Sequence, residues 1–154
     1  MMTTATGAEL LQIGAPAPDF KGVLATGNRH ISLSDYKGKF VILVFYPKDQ
    51  TPGCTQQLCA LRDDYASLKS INTDVLGVNP DGLESHEKFV EKQSYPFPIL
   101  VDEGAQITAA YKAQKPEGGV QRTVYVIGPE ATIVFAQQGM PSDETLMQAI
   151  QSAS

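Results

Sequence analysis

Apolar residues run without interruption from Phe40 to Tyr46, a stretch rich in β-branched and aromatic side chains that ends at Pro47. Such a run predicts a strand covered on both faces, at the centre of a sheet. Beyond the loop Pro47 to Gly53 the period changes: Cys54, Leu58, Leu61, Tyr65 and Leu68 follow at spacings of 4, 3, 4 and 3. That spacing predicts a helix from about Thr51 to Lys69 with one buried face. Asp74 to Val78 is strand-like again, and Leu83 to Gln93 has helical composition with Phe89 and Val90 turned inward. Pro96 and Pro98 bracket an extended piece that runs to Val101. Gly104 to Lys112 predicts a short helix seated on Ile107 and Tyr111, and Lys115-Pro-Glu-Gly-Gly119 predicts a loop. Arg122 to Ile127 and Thr132 to Ala136 predict a hairpin across Gly128 to Ala131. Ser142 is placed to cap a closing helix through Leu146, Met147 and Ile150.

Strand, helix, strand, helix, strand, then hairpin and helix is an α/β order with a mixed central sheet flanked by helices. A thioredoxin-like architecture fits it best, with a small N-terminal β-hairpin turning at Gly27-Asn28. At 154 residues and 42% hydrophobic content the chain suits one domain over residues 1–154, with 1–10 as a loosely ordered tail. The 13 Gly and 10 Pro are scattered, against a low-complexity chain.

The formal charge of −5, with no basic run, argues against nucleic acid as a partner. No apolar stretch approaches the roughly 20 residues of a membrane span, so no membrane association is expected. The N-terminal residues carry no Lys or Arg before their short apolar patch and do not read as a secretory signal, which makes the cytoplasm the default address. His30 and His86 stand alone, no His, Cys and carboxylate cluster has metal-ligand spacing, and no Gly-rich phosphate loop is present. No metal and no cofactor are expected.

The candidate chemistry lies in two cysteines, too few for a disulfide scaffold. Thr51-Pro52-Gly53-Cys54 places an N-cap residue, a proline at the first helical position and Cys54 in the first turn. Unpaired N–H groups and the positive end of the helix dipole favour a thiolate there. Cys54 also reads as the first apolar residue of the helical stripe, and on helix geometry alone the two readings stand level. Cys59 shifts the balance, because five residues place it about 140° round the helix, off the stripe and facing out. The same geometry separates the two Cα atoms by roughly 8.7 Å, whereas a disulfide tolerates at most about 7 Å. A Cys54 to Cys59 bridge would therefore require the first turns of the helix to unwind, and Gly53 eases that.

The segment Phe45-Tyr-Pro-Lys-Asp-Gln-Thr-Pro-Gly-Cys-Thr55, with Cys59-Ala-Leu-Arg-Asp63 after it, resembles the Q type of peroxiredoxin, also called bacterioferritin-comigratory proteins. Ala17-Pro-Asp-Phe20, Ser85-His-Glu-Lys-Phe89, Phe97-Pro-Ile-Leu100 and Arg122-Thr-Val-Tyr-Val-Ile127 extend the likeness through most of the chain. The resemblance implies a thiol peroxidase in which Cys54 is the peroxidatic cysteine and Cys59 the resolving one. Pro47 would shield the pocket from water, the Thr51 hydroxyl would hydrogen-bond the thiolate or peroxide, and Arg122 would complete the site. Hydrogen peroxide or an alkyl hydroperoxide would be the substrate and thioredoxin or a similar dithiol the reductant. Such proteins are often monomers, although nothing in the residues excludes a dimer. One departure stands out: Gln57 occupies a position where this type usually has Glu. Two rival functions remain, a protein disulfide oxidoreductase and a non-enzymatic redox sensor. The first is disfavoured because four residues, not two, separate the cysteines.

Overall fold

A computed structural model of the chain describes residues 10–24, 30–49 and 51–153, with every side chain among them except that of Cys54. Five strands form one sheet in the order β5-β4-β3-β6-β7: β3 Phe40–Phe45, β4 Thr73–Asn79, β5 Ile99–Val101, β6 Thr123–Ile127 and β7 Ile133–Gln138. The uninterrupted apolar run is its central strand. Because side chains alternate across a strand, Phe40, Ile42, Val44 and Tyr46 feed one core, and Val41, Leu43 and Phe45 feed another on the opposite face. Strand β4 pairs parallel with β3 and β5 parallel with β4, whereas β6 pairs antiparallel with β3 and β7 antiparallel with β6, so the sheet is mixed as expected.

The first core takes Leu58, Leu61, Leu68, Phe89, Leu146 and Ile150 from helices α1 Pro52–Asp63, α2 Tyr65–Ser70, α3 Leu83–Gln93 and α5 Asp143–Ala153. The second takes Ile107 from α4 Gln106–Ala110, the aromatic pair Tyr111 and Tyr125, and the N-terminal segment including Phe20 and Leu24. Ser142 caps α5 as expected, its Oγ accepting the Thr145 N–H at 3.1 Å. A two-stranded antiparallel hairpin, β1 Lys21–Val23 with β2 His30–Ser32, forms the N-terminal extension. Its Gly27-Asn28 turn and residues 1–9 lie outside the described residues, while Leu10 and Leu11 pack against the second core. Among the described residues, no helix is long and apolar enough to cross a membrane.

The helix expected over Thr51 to Lys69 is two helices that meet at Asp64, whose φ of −101° and ψ of 9° leave the helical region. Buried Leu61 and Leu68 keep helical spacing across the break, so periodicity carries no sign of it. Aspartate is a poor helix-interior residue, and the Asp64 carboxylate is engaged with Asp143 at the start of α5. Burial, the hydrogen bond with Asp64 and the nearby charges of Asp64 and Asp63 push Asp143 up to about 7 from its ordinary 3.8. These outweigh the helix dipole, which favours a negative charge in the first turn. As an acceptor alone, Asp143 Oδ2 is buried without a partner; protonated, it can donate to Asp64.

The folded chain thus holds this proton more tightly than the unfolded chain, and stability falls as pH rises from about 4 through about 7. Asp143→Asn keeps the hydrogen bond without a titrating group. Its unfolding midpoint is expected to exceed the wild-type value at pH 8 and to match it near pH 4.5, in thermal melts at both pH values. A gain of equal size at both would count against the shared proton.

Candidate active site

The chemistry gathers at the C-terminal edge of β3. Strand β6 runs antiparallel to β3 with Thr123 opposite Phe45, so Arg122, one residue earlier, arrives where the Pro47 loop leaves the sheet and α1 begins. Arg122 Nη1 donates to Gln57 Oε1 at 2.9 Å, and Nη2 lies 3.2 Å from where a Cβ on Gly53 would sit. The guanidinium therefore covers the first turn of α1, in space left by the absent Gly53 side chain. Gln57, buried at 7% exposure, supplies the hydrogen-bond acceptor from a neutral amide. The network whose form the Gln57 departure left open is thus a direct Arg122 to Gln57 bond.

Thr51 is the N-cap of α1 and Pro52 its first residue, as the sequence indicates. The Thr51 hydroxyl makes no capping bond, however; it turns back and donates to the Lys48 carbonyl at 2.9 Å. Pro47 is exposed at the end of β3. Cys54 is the third residue of α1, immediately after Gly53; its thiol, and with it the expectation that it faces inward, lies outside the described side chains.

A buried polar network that the sequence reading missed holds Asp49, four residues beyond the end of β3. Asp49 Oδ1 accepts from the Tyr46 hydroxyl at 2.6 Å, and Oδ2 accepts from Ser85 Oγ at 2.7 Å and faces His86 Nδ1 at 2.6 Å. The other ring nitrogen of His86, Nε2, lies 3.1 Å from the Asn79 carbonyl. Burial works against the charge on Asp49, yet the hydrogen bonds from His86, Tyr46 and Ser85 outweigh it and hold the carboxyl below its ordinary 3.8. Far from standing alone, His86 is fully buried and ties Asp49 to α3. The signal was present in part: Asp49 lies within the Phe45 to Thr55 motif and Ser85-His86 opens a second matching segment, but nothing in the sequence links the two. Among the described residues, no group of three or more His, Cys, Asp and Glu side chains could hold a metal ion.

Cys59 corrects the outward-facing expectation. It is half-buried and packs against the first core, its Sγ 3.5 Å from Gln93 Oε1 and 3.7 Å from the Tyr95 hydroxyl. Helical angle places it off the Leu58 and Leu61 stripe, but the end of α3 covers that flank: Arg62 Nη1 also donates to the Gln93 carbonyl at 2.7 Å. Burial, then the hydrogen bond with Cys59, pushes the Tyr95 phenol above its ordinary range, so it keeps its proton.

A cysteine at a helix start, in a helix-flanked mixed sheet, with an arginine delivered to that turn from an opposed strand, defines a thioredoxin-like domain built for thiol redox chemistry. The AhpC/TSA family model matches residues 13–136. Peroxiredoxin Bcp of Bacillus subtilis is 35% identical over 92% of this chain and 94% of its own. The chloroplastic peroxiredoxin Q of Sedum lineare is 39% identical over 77% of this chain and 67% of its own. Among solved structures, Xylella fastidiosa PrxQ superposes with a TM-score of 0.80 at 28% identity over 99% of both chains. The chain belongs to the AhpC/TSA family, among its Bcp and Q-type peroxiredoxins, and is a thiol peroxidase.

Proposed function

We propose that Cys54 is the peroxidatic cysteine, Cys59 the resolving cysteine, and Thr51, Pro47 and Arg122 the remainder of the site, working as a single domain on hydrogen peroxide and alkyl hydroperoxides. The observation that carries this reading is the Arg122 guanidinium bonded to Gln57 and lying over Gly53, the residue immediately before Cys54. The Cys54 thiolate attacks the terminal peroxide oxygen. An S–O bond forms as the O–O bond breaks, and the departing oxygen takes a proton to leave as water or alcohol. Fixed guanidinium donors stabilise the charge that gathers on the cleaved oxygens. Cys59 then attacks the sulfenic acid, an S–S bond replaces the S–O bond, and water leaves. A thioredoxin-type dithiol restores both thiols by exchange. The protein acts as a monomer in the cytoplasm on this reading.

Cys59→Ser provides the test. Reduced variant protein mixed with one equivalent of peroxide should consume it at the wild-type rate, whereas catalytic turnover with a dithiol protein is lost. Mass spectrometry should find the oxygen on Cys54. Failure of this variant to consume the equivalent of peroxide, or undiminished turnover, would overturn the roles assigned to the pair.

A further inference from the structure

We infer that Gln93 and Tyr95, at and just beyond the end of α3, form a latch on the Cys59 thiol that holds it in the reduced, helix-intact state. This rests on the reading that Cys54 and Cys59 form a disulfide. The thiol has one hydrogen, and Gln93 Oε1 is an acceptor only, so Cys59 donates to Gln93 and accepts from the Tyr95 hydroxyl. Tyr95 is itself fixed by its ring, stacked on Phe97 at 5.2 Å between centroids and edge-on to Phe89 at 5.2 Å. Gln93 is held through its carbonyl by Arg62, three residues beyond Cys59 on α1. The end of α3 thus grips this turn of α1 at two points.

Formation of the disulfide undoes the grip whichever part of α1 moves. The S–S bond replaces the S–O bond of the sulfenic acid, and the Cys59 hydrogen leaves with the hydroxide as water. No hydrogen then remains to donate to Gln93. Residues 54 and 59 of the intact helix are also roughly 8.7 Å apart at Cα, beyond disulfide reach, so the turn must open. The latch therefore opposes resolution and sets how long the sulfenic acid survives. Neither residue touches the reacting oxygen; both act by positioning Cys59.

Tyr95→Phe removes the hydroxyl and keeps the ring packing, and Gln93→Met keeps side-chain length without the acceptor. In rapid-quench mass spectrometry after one equivalent of peroxide, peroxide consumption should be unchanged in both. Sulfenic acid should decay about two- to tenfold faster, the range expected for one lost hydrogen bond. Less sulfinic acid should form under excess peroxide, and thiol–disulfide equilibration should show a more negative potential. A merely structural role would lower thermal stability and leave this partition untouched. Decay that is unchanged or slower in both variants would overturn the latch. If the wild-type protein itself forms no Cys54 to Cys59 disulfide, the underlying reading falls first, a result distinct from a disulfide that forms at equal rates in all three proteins.

Discussion

Replacing Cys54 with serine is expected to lower the rate of peroxide reduction by at least about a thousandfold, since an alcohol at this position is scarcely ionised at neutral pH and supplies no soft nucleophile. The helix should survive, because serine is well tolerated in a first turn and the packing of α1 rests on Leu58 and Leu61 further along. Cys59 remains in the variant and isolates the point: a half-buried thiol held by Gln93 and Tyr95 should not substitute. Stopped-flow peroxide consumption by the fully reduced proteins is the measurement. Activity in Cys54→Ser within tenfold of wild type would require another sulfur to do the work.

Removing the guanidinium should produce the second largest loss. Arg122→Ala is expected to slow the reaction with peroxide about a hundred- to a thousandfold, the usual penalty for deleting a fixed donor aimed at a developing oxyanion. Two effects combine. The cation beside the first turn of α1 disappears, and Gln57, buried with its Oε1 turned to Arg122, loses that donor. Arg122→Lys separates them: it retains the charge but lacks a planar fork able to reach Gln57 and the Gly53 turn together, so an intermediate rate is expected. The second-order rate constant with hydrogen peroxide, measured for both variants, decides. Rates within a few-fold of wild type for Arg122→Ala would remove arginine from the chemistry.

Much of this arrangement could be read from residue order. The strand over Phe40 to Phe45, the helix from Leu83 to Gln93, the closing hairpin and the capped last helix all follow from local period and cap chemistry. The position of Cys54 at a helix start follows from Thr51-Pro52 alone. What escaped were buried contacts between residues distant in sequence, although the family resemblance had named Arg122 as part of the site. The break at Asp64 is hidden because the apolar stripe continues through it. His86 looked solitary because its partner Asp49 lies 37 residues away, and Cys59 looked exposed because the residues that cover it lie 34 and 36 residues on.

Local spacing by itself determined the central strand, the helix that follows it and the thiol at their junction, since period, capping and the helix dipole act over a few neighbouring residues. The tertiary structure decided what surrounds that junction. Antiparallel pairing of β6 with β3 brings Arg122 to the first turn, the close of β4 brings Asn79 beside Tyr46, and the end of α3 closes over Cys59. Hydrogen bonds depend on distance in space, and only the register of the folded sheet fixes which distant side chains come within reach.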